Sequence, residues 1–110
     1  MPKMAILGER DAILGFKAVG VNVFPIKNTD EAEAVLRKLA MEDYAAIFVS
    51  ERYAQDLELQ IKEIERSGGM FPSIVIIPGP GVNQGLGMNK IKNMVEKALG
   101  MAILSTDEKQ

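Results

Sequence analysis

The 110-residue sequence contains no cysteine and no histidine. The missing cysteines exclude disulfides and thiolate nucleophiles. Together, the two absences exclude Cys/His zinc sites and imidazole acid–base catalysis. A catalytic site would have to be built from Asp, Glu, Lys, Ser or Tyr. The composition therefore favours a binding or structural role over an enzyme.

Neither a strong net charge nor a long apolar run is present. The formal net charge is −2, which gives no electrostatic reason to expect nucleic acid or an anionic membrane surface as a partner. No uninterrupted apolar run approaches the roughly 18 residues of a membrane span, and the apolar stretch near the N-terminus is too short for a signal peptide. We therefore expect one cytoplasmic domain with no direct membrane insertion.

Short apolar runs alternate with amphipathic segments along the chain. The pattern predicts strands over 4–7, 21–26, 44–49 and 73–77, and helices over 11–19, 29–41, the segment between Ser50 and Ser67, and from Met88 onward. This alternation is typical of a parallel sheet in an open α/β fold. We expect a Rossmann-like or flavodoxin-like sheet of order 2-1-3-4. The first and last helices would cover one face, and the middle two the other.

Pro25 and Gly15 each predict one further feature of the fold. Pro25 cannot donate to a strand ladder, so the second strand is predicted at an edge of the sheet. Gly15 lies within the first predicted helix, where glycine costs about 1 kcal/mol relative to alanine. We expect a close approach of that helix to the sheet to compensate for this cost.

The pattern divides the chain into four parts. Residues 1–78 form the predicted α/β sheet domain, and 79–87 a glycine-rich connector. Residues 88–104 form the C-terminal helix. Residues 105–110 form a polar tail, which we expect to fray.

The connector lies between a strand and a helix, which is where phosphate-binding loops occur. A P-loop needs a second glycine five residues after its first, followed by lysine. Neither frame of the connector fits, because the residue five positions after Gly79 is Gln84 and the residue five positions after Gly81 is Leu86. The dinucleotide fingerprint is also missing from the exit of the first strand. We therefore predict no bound cofactor or metal, and interpret the glycines as a mobile linker.

The C-terminal helix has a wide apolar face. At 100° per residue its apolar side chains span about 160°, whereas about 100° suffices to cover a sheet. One interpretation is that the surplus packs on the first helix. The other is that the helix, and especially residues 101–104, binds a partner, since methionines suit adaptable helical interfaces. The candidate contact residues on this helix are Ile91, Met94, Val95, Ala98, Leu99 and Met101.

Charged residues follow two neighbouring predicted strands. Glu9 and Arg10 follow the first strand, and Ser50, Glu51 and Arg52 follow the third. In an open α/β sheet, ligands gather at the carboxyl ends of the strands. We interpret this rim as a protein-docking surface with Ser50, Glu51 and Arg52 as contact candidates. The alternative is local charge pairing on a solvated edge, which contributes little.

Three segments carry a resemblance to a known family: GFKAVG at 15–20, IFVSERYA at 47–54 and GLGMNKIKNMVEKALGMAIL at 85–104. On these segments the chain resembles the F subunit of the V-type (A/V-type) rotary ATPases, in its bacterial form. The match extends over nearly the whole chain. The sequence Glu9-Arg10-Asp11 departs from the more acidic exit that many members carry after the first strand.

The resemblance implies a non-catalytic component of the central rotor. Such a component binds the coiled-coil shaft (the D subunit), alongside other subunits of the rotary ATPase, in a complex that couples ATP hydrolysis or synthesis to proton or sodium transport. It would be cytoplasmic and peripheral to the cell membrane through the complex, with a mobile, regulatory C-terminal helix. The residues themselves leave two alternatives. One is a flavodoxin-like small-ligand or signalling module that binds at the strand carboxyl ends, and the other is an enzyme using Glu9, Asp11 and Lys27.

Overall fold

The computed structural model describes residues 3–67, 72–78 and 87–108, with side chains as far as Gly100. Residues 79–86 of the predicted connector lie outside the described residues. The elements are β1 (Lys3–Gly8), α1 (Arg10–Ile13) followed by a 3-10 helix (Leu14–Val19), β2 (Asn22–Pro25), α2 (Thr29–Ala40), β3 (Tyr44–Ser50), α3 (Glu51–Ala54), α4 (Glu58–Arg66), β4 (Ser73–Ile77) and α5 (Met88–Glu108).

The four strands form one parallel sheet in the order β2-β1-β3-β4, as predicted. Ile6 in the centre of β1 pairs with Val23 of β2 on one side and Phe48 of β3 on the other. Pro25 lies on the edge strand β2, where its missing N–H removes no central ladder bond. The central strands β1 and β3 are buried almost throughout, because helices cover both of their faces.

Alternate strand residues contribute to two separate hydrophobic cores. One core joins Met4, Ile6, Ala46 and Phe48 of the sheet to α1, the 3-10 helix and α5. The other joins Ala5, Leu7, Ile47 and Val49 to α2, α3 and α4. The predicted assignment of helices to faces is thus confirmed.

The region after β1 differs from the continuous helix predicted over 11–19. α1 ends at Ile13, and the chain continues as a 3-10 helix to Val19. Gly20 ends this segment with a φ of 87°, and its N–H is directed at the carbonyls of Lys17 and Phe16. The first helical segment does pack on the sheet, through contacts such as Phe16 with Phe48, but Gly15 is not the point of contact. A Cβ atom at Gly15 would instead meet Ile91 of α5.

The helix predicted between Ser50 and Ser67 is interrupted after Ala54 and resumes at Glu58. Leu57 stands at the interruption with φ −98° and ψ 8°, outside helical geometry. This adjustment still directs Leu57 and Ile61 into the second core, where both are buried. The sequence pattern did not predict the break between Ala54 and Glu58.

α5 begins at Met88 as predicted and continues to Glu108, so its last four residues fall within the predicted polar tail. Its 21 residues span about 32 Å at the helical rise of about 1.5 Å per residue. β4 has five residues, and therefore spans only about 17 Å. α5 is longer than the sheet that it covers. None of the described helices combines the length and apolar character needed to cross a membrane.

Candidate partner-binding surface

Ser50 links the carboxyl ends of the two central strands. Its side chain is fully buried, and its Oγ donates a hydrogen bond to the carboxylate of Glu9, which follows β1. The same Oγ accepts a hydrogen bond from the backbone N–H of Arg52 at 3.3 Å. Ser50 is therefore the N-cap of α3. As predicted, it begins that helix, but it presents no surface to a partner.

Gly8 packs directly beside Ser50 at this edge. A Cβ atom at Gly8 would lie 2.6 Å from Ser50 Cβ and 3.0 Å from Ile13 Cγ2. The Gly8 carbonyl accepts a hydrogen bond from the Ile26 N–H at 2.9 Å, which ties in the end of β2. Protein atoms thus pack closely between the ends of β1 and β3. This geometry offers the flavodoxin-like alternative no support.

Glu51 and Arg52, the other two rim candidates, are exposed at the start of α3. The Arg52 guanidinium lies 5.7 Å from the centroid of the Tyr53 ring, a distance at which cation–π attraction operates. Tyr53 itself is buried. Arg52 is exposed, so its donors are accessible and a carboxylate or carbonyl on another protein can pair with them.

Glu9, Asp11 and Lys27 do not form a catalytic constellation. Glu9 accepts from Ser50, Asp11 and Lys27 are exposed, and the Lys27 backbone N–H donates to the carboxylate of Glu31 at 3.0 Å. No hydrogen bond or ion pair between these three side chains occurs within 3–67. Over the ranges that the structure describes, no group of three or more Asp or Glu residues is placed to hold a metal ion.

The candidates on α5 whose side chains the structure describes pack toward the sheet. Ile91, Val95 and Ala98 are buried in the first core. Met94 and Leu99 are partly buried and pack against the same core, to which the 3-10 helix contributes Phe16. The side chain of the remaining candidate, Met101, lies outside the described residues. The buried candidates could reach a partner only if α5 left the sheet.

The sequence interpretation missed a groove of about 460 Å³ between α2 and α4. Met41 and Leu59 line it with 84% and 79% of their surfaces exposed. The sequence contained one signal of this groove, namely two apolar residues outside the stripes that face the core. Leu59 lies outside the inward stripe of Leu57, Ile61 and Ile64, and Met41 follows the end of the helical stripe of α2.

Comparison with known proteins identifies the family. Residues 4–95 match the family model for the ATP synthase (F/14-kDa) subunit. The chain is 38% identical over 102 residues to the V-type ATP synthase F subunit of Clostridium botulinum (strain Eklund 17B / Type B), which covers 93% of this chain and 97% of the relative. The corresponding protein of Clostridium perfringens (strain 13 / Type A) is also 38% identical over 102 residues, covering 93% of this chain and 95% of the relative.

An archaeal relative is more distant. The A-type ATP synthase F subunit of Methanothermobacter thermautotrophicus (strain Delta H) is 27% identical over 105 residues, covering 92% of this chain and 95% of the relative. The family match and the bacterial relatives both extend over most of the α/β domain and into α5. The chain therefore belongs to the family of the ATP synthase (F/14-kDa) subunit, as a component of a rotary ATPase.

Proposed function

We propose that the protein is a non-catalytic component of the central rotor of a V-type ATPase. It docks on the coiled-coil shaft (the D subunit) and helps couple ATP hydrolysis or synthesis to proton or sodium transport. The observation that carries this proposal is the alignment of nearly the whole chain, 93% of it, with a bacterial protein named as the F subunit of a V-type ATP synthase. Through the complex, the protein is held in the cytoplasm at the periphery of the cell membrane.

The absence of a catalytic role is supported by the composition and by the strand ends. The sequence has neither cysteine nor histidine. The glycine-rich connector matches no phosphate-binding frame. At the carboxyl edge, Ser50 donates to Glu9 and leaves no room for a Cβ atom at Gly8, so the ends of β1 and β3 are closely packed. ATP would be bound and hydrolysed by other subunits.

The proposed interface combines the rim of the sheet with the C-terminal end of α5. Glu51 and Arg52 are exposed and supply charged contacts. The first eleven residues of α5 span about 15 Å from Met88 to Ala98, close to the length of a strand of the sheet. The helix then continues for ten residues to Glu108. That continuation has the apolar sequence Met101-Ala102-Ile103-Leu104, and burying a Met, Ile or Leu side chain contributes about 1.5–3 kcal/mol.

Co-purification with the shaft protein tests the proposal. The full chain and the shaft protein, mixed at micromolar concentration, should elute from a sizing column as a one-to-one complex. The chain alone should hydrolyse no ATP. Separate elution, or ATP hydrolysis by the isolated chain, would contradict the proposal.

A matched pair of variants tests the interface. The double substitution Met101→Ser with Leu104→Ser should weaken binding to the shaft at least tenfold, because it removes apolar surface from the continuing part of α5. Met88→Ser changes a side chain at the opposite end of the helix that is 43% exposed, and should leave the affinity unchanged. Equal affinities for the natural protein and both variants would show that this end of α5 does not contact the shaft.

A further inference from the structure

The groove between α2 and α4 lies on the face of the sheet opposite α5. One wall consists of residues from α2 and its C-cap, namely Glu33, Arg37, Ala40 and Met41. The other consists of Asp56, Leu59, Gln60, Glu63 and Ile64, from α4 and the turn before it. Within each wall the residues recur at intervals of three and four, so each wall is one stripe of a helix. The two helices therefore border a concave surface of the kind in which a third helix can pack.

Hydrogen bonds between its walls hold the groove in shape. The side-chain amide of Gln60 donates to the backbone carbonyl of Glu33 at 3.0 Å. Near one end, the Thr29 hydroxyl donates to the Asp56 carboxylate at 3.0 Å. Beneath the groove, both helices bury residues in the second core. A partner would meet a preformed site, and would not have to open it.

Met41 and Leu59 are the most exposed large hydrophobic residues of the described chain. The next are Ile76 at 45% and Leu14 at 44%. Met41 and Leu59 both border this groove, on opposite walls. Two such side chains facing one concave surface are typical of a site that buries apolar residues of a partner.

The charges of the groove specify the chemistry of that partner. Glu33, Asp56 and Glu63 line it, with Arg37 as the single base. Within the ranges whose side chains are described, the one ion pair closer than 4.0 Å is Glu58–Lys62. The three acids of the groove therefore form no salt bridge within the described part of the chain. Lysine or arginine on a partner would complement them.

We propose that this groove binds a basic amphipathic helix of another polypeptide. The helix presents aliphatic residues at i, i+3 and i+7 between Met41 and Leu59, with Lys or Arg on its flanks toward Glu33 and Glu63. α4 has nine residues, so its wall is about 13 Å long and matches two to three helical turns. The inference does not rest on docking to the rotor shaft, since it concerns the opposite face of the sheet from α5.

A peptide titration tests the inference. The full-length, isotope-labelled chain is titrated with a synthetic helix of about 14 residues, or four turns, that carries leucines on one face and lysines on its flanks. A matched peptide carries glutamates in place of the lysines. We expect saturable amide shifts confined to α2, α4 and the turn before α4, and at least tenfold weaker binding of the glutamate peptide. Equal binding of the two peptides, or shifts centred elsewhere, would overturn the proposal.

Variants separate the groove from non-specific attraction. The double substitution Met41→Ser with Leu59→Ser should weaken binding of the lysine peptide at least tenfold. At low salt, Glu33→Gln with Glu63→Gln should weaken it by at least the same factor. Leu14→Ser changes an exposed apolar residue outside the groove and should leave the affinity for the lysine peptide unchanged. A loss of similar size for Leu14→Ser would overturn the proposal. So would concentration-dependent dimerisation that Met41→Ser with Leu59→Ser abolishes, because the occupant would then be a second copy of this chain.

Discussion

Ile91 of α5 lies so close to Gly15 of the 3-10 helix that a Cβ atom at Gly15 would stand 2.7 Å from Ile91 Cδ1. Both residues lie on the face of the sheet where Phe16 packs against Phe48, with ring centroids 5.6 Å apart and the rings tilted by 43°. The contact joins the beginning of α5 to the first helical segment of the chain. A side chain at position 15 would therefore require the terminal methyl of Ile91 to move.

Gly15→Ala should destabilise the protein by about 1 kcal/mol. Overpacking a core costs about 1–3 kcal/mol, and the lower entropy of the unfolded alanine chain offsets about 0.4–1 kcal/mol. Chemical denaturation of the single variants and the double variant measures this effect. Ile91→Val removes the Cδ1 atom that an alanine at position 15 would meet. The double variant should therefore lose about 1 kcal/mol less free energy of unfolding than the two single losses add up to. Additive effects would show that the two side chains do not compete for the same space.

Ser50→Ala should destabilise the protein by about 2 kcal/mol. It removes the cap of α3, which typically contributes about 1 kcal/mol. It also removes a buried donor to Glu9, at a similar cost. Ser67→Ala is the matched control, because Ser67 is exposed and its hydroxyl donates to the Ile64 carbonyl at the end of α4. The free energy of unfolding of that control should change by less than about 0.5 kcal/mol. Similar losses for the two variants would contradict the role given to Ser50.

Gly20→Ala should cost about 1 kcal/mol through backbone strain alone. The φ of 87° at Gly20 lies in the left-handed region, and no atom stands within 4 Å of a Cβ added there. Gly20→Asn should cost less, because asparagine tolerates this conformation better than alanine. Thermal unfolding of the two variants ranks them. An alanine variant as stable as the natural protein would show that the turn adopts another conformation.

The fold could be predicted from local pattern because apolar runs form most of the two central strands. The continuous apolar run at 44–49 predicts helices on both faces of the sheet, and Pro25 places β2 at an edge. The 3-10 geometry and the interruption before Leu57 were not predictable, since both accommodate packing against residues distant in sequence.

The candidate site was less accessible to sequence reasoning than the fold. Of the three rim candidates, Glu51 and Arg52 are exposed, whereas Ser50 is buried and hydrogen-bonded to Glu9, 41 residues away. The periodicity of α5 shows which residues are apolar but not what they contact, so Ile91 looked equally suited to the core and to a partner. The role of α5 in partner binding stays a prediction.

Hydrogen exchange along α5, with and without the coiled-coil shaft, tests the central claim most directly. In the isolated full chain, amides near Ile91 and Val95 should be protected by the core, whereas amides in 99–108 should exchange faster. Adding the purified shaft protein should slow exchange in 99–108 at least tenfold and also slow it around Glu51 and Arg52. Full protection of 99–108 in the isolated chain, unchanged by the shaft, would contradict the account.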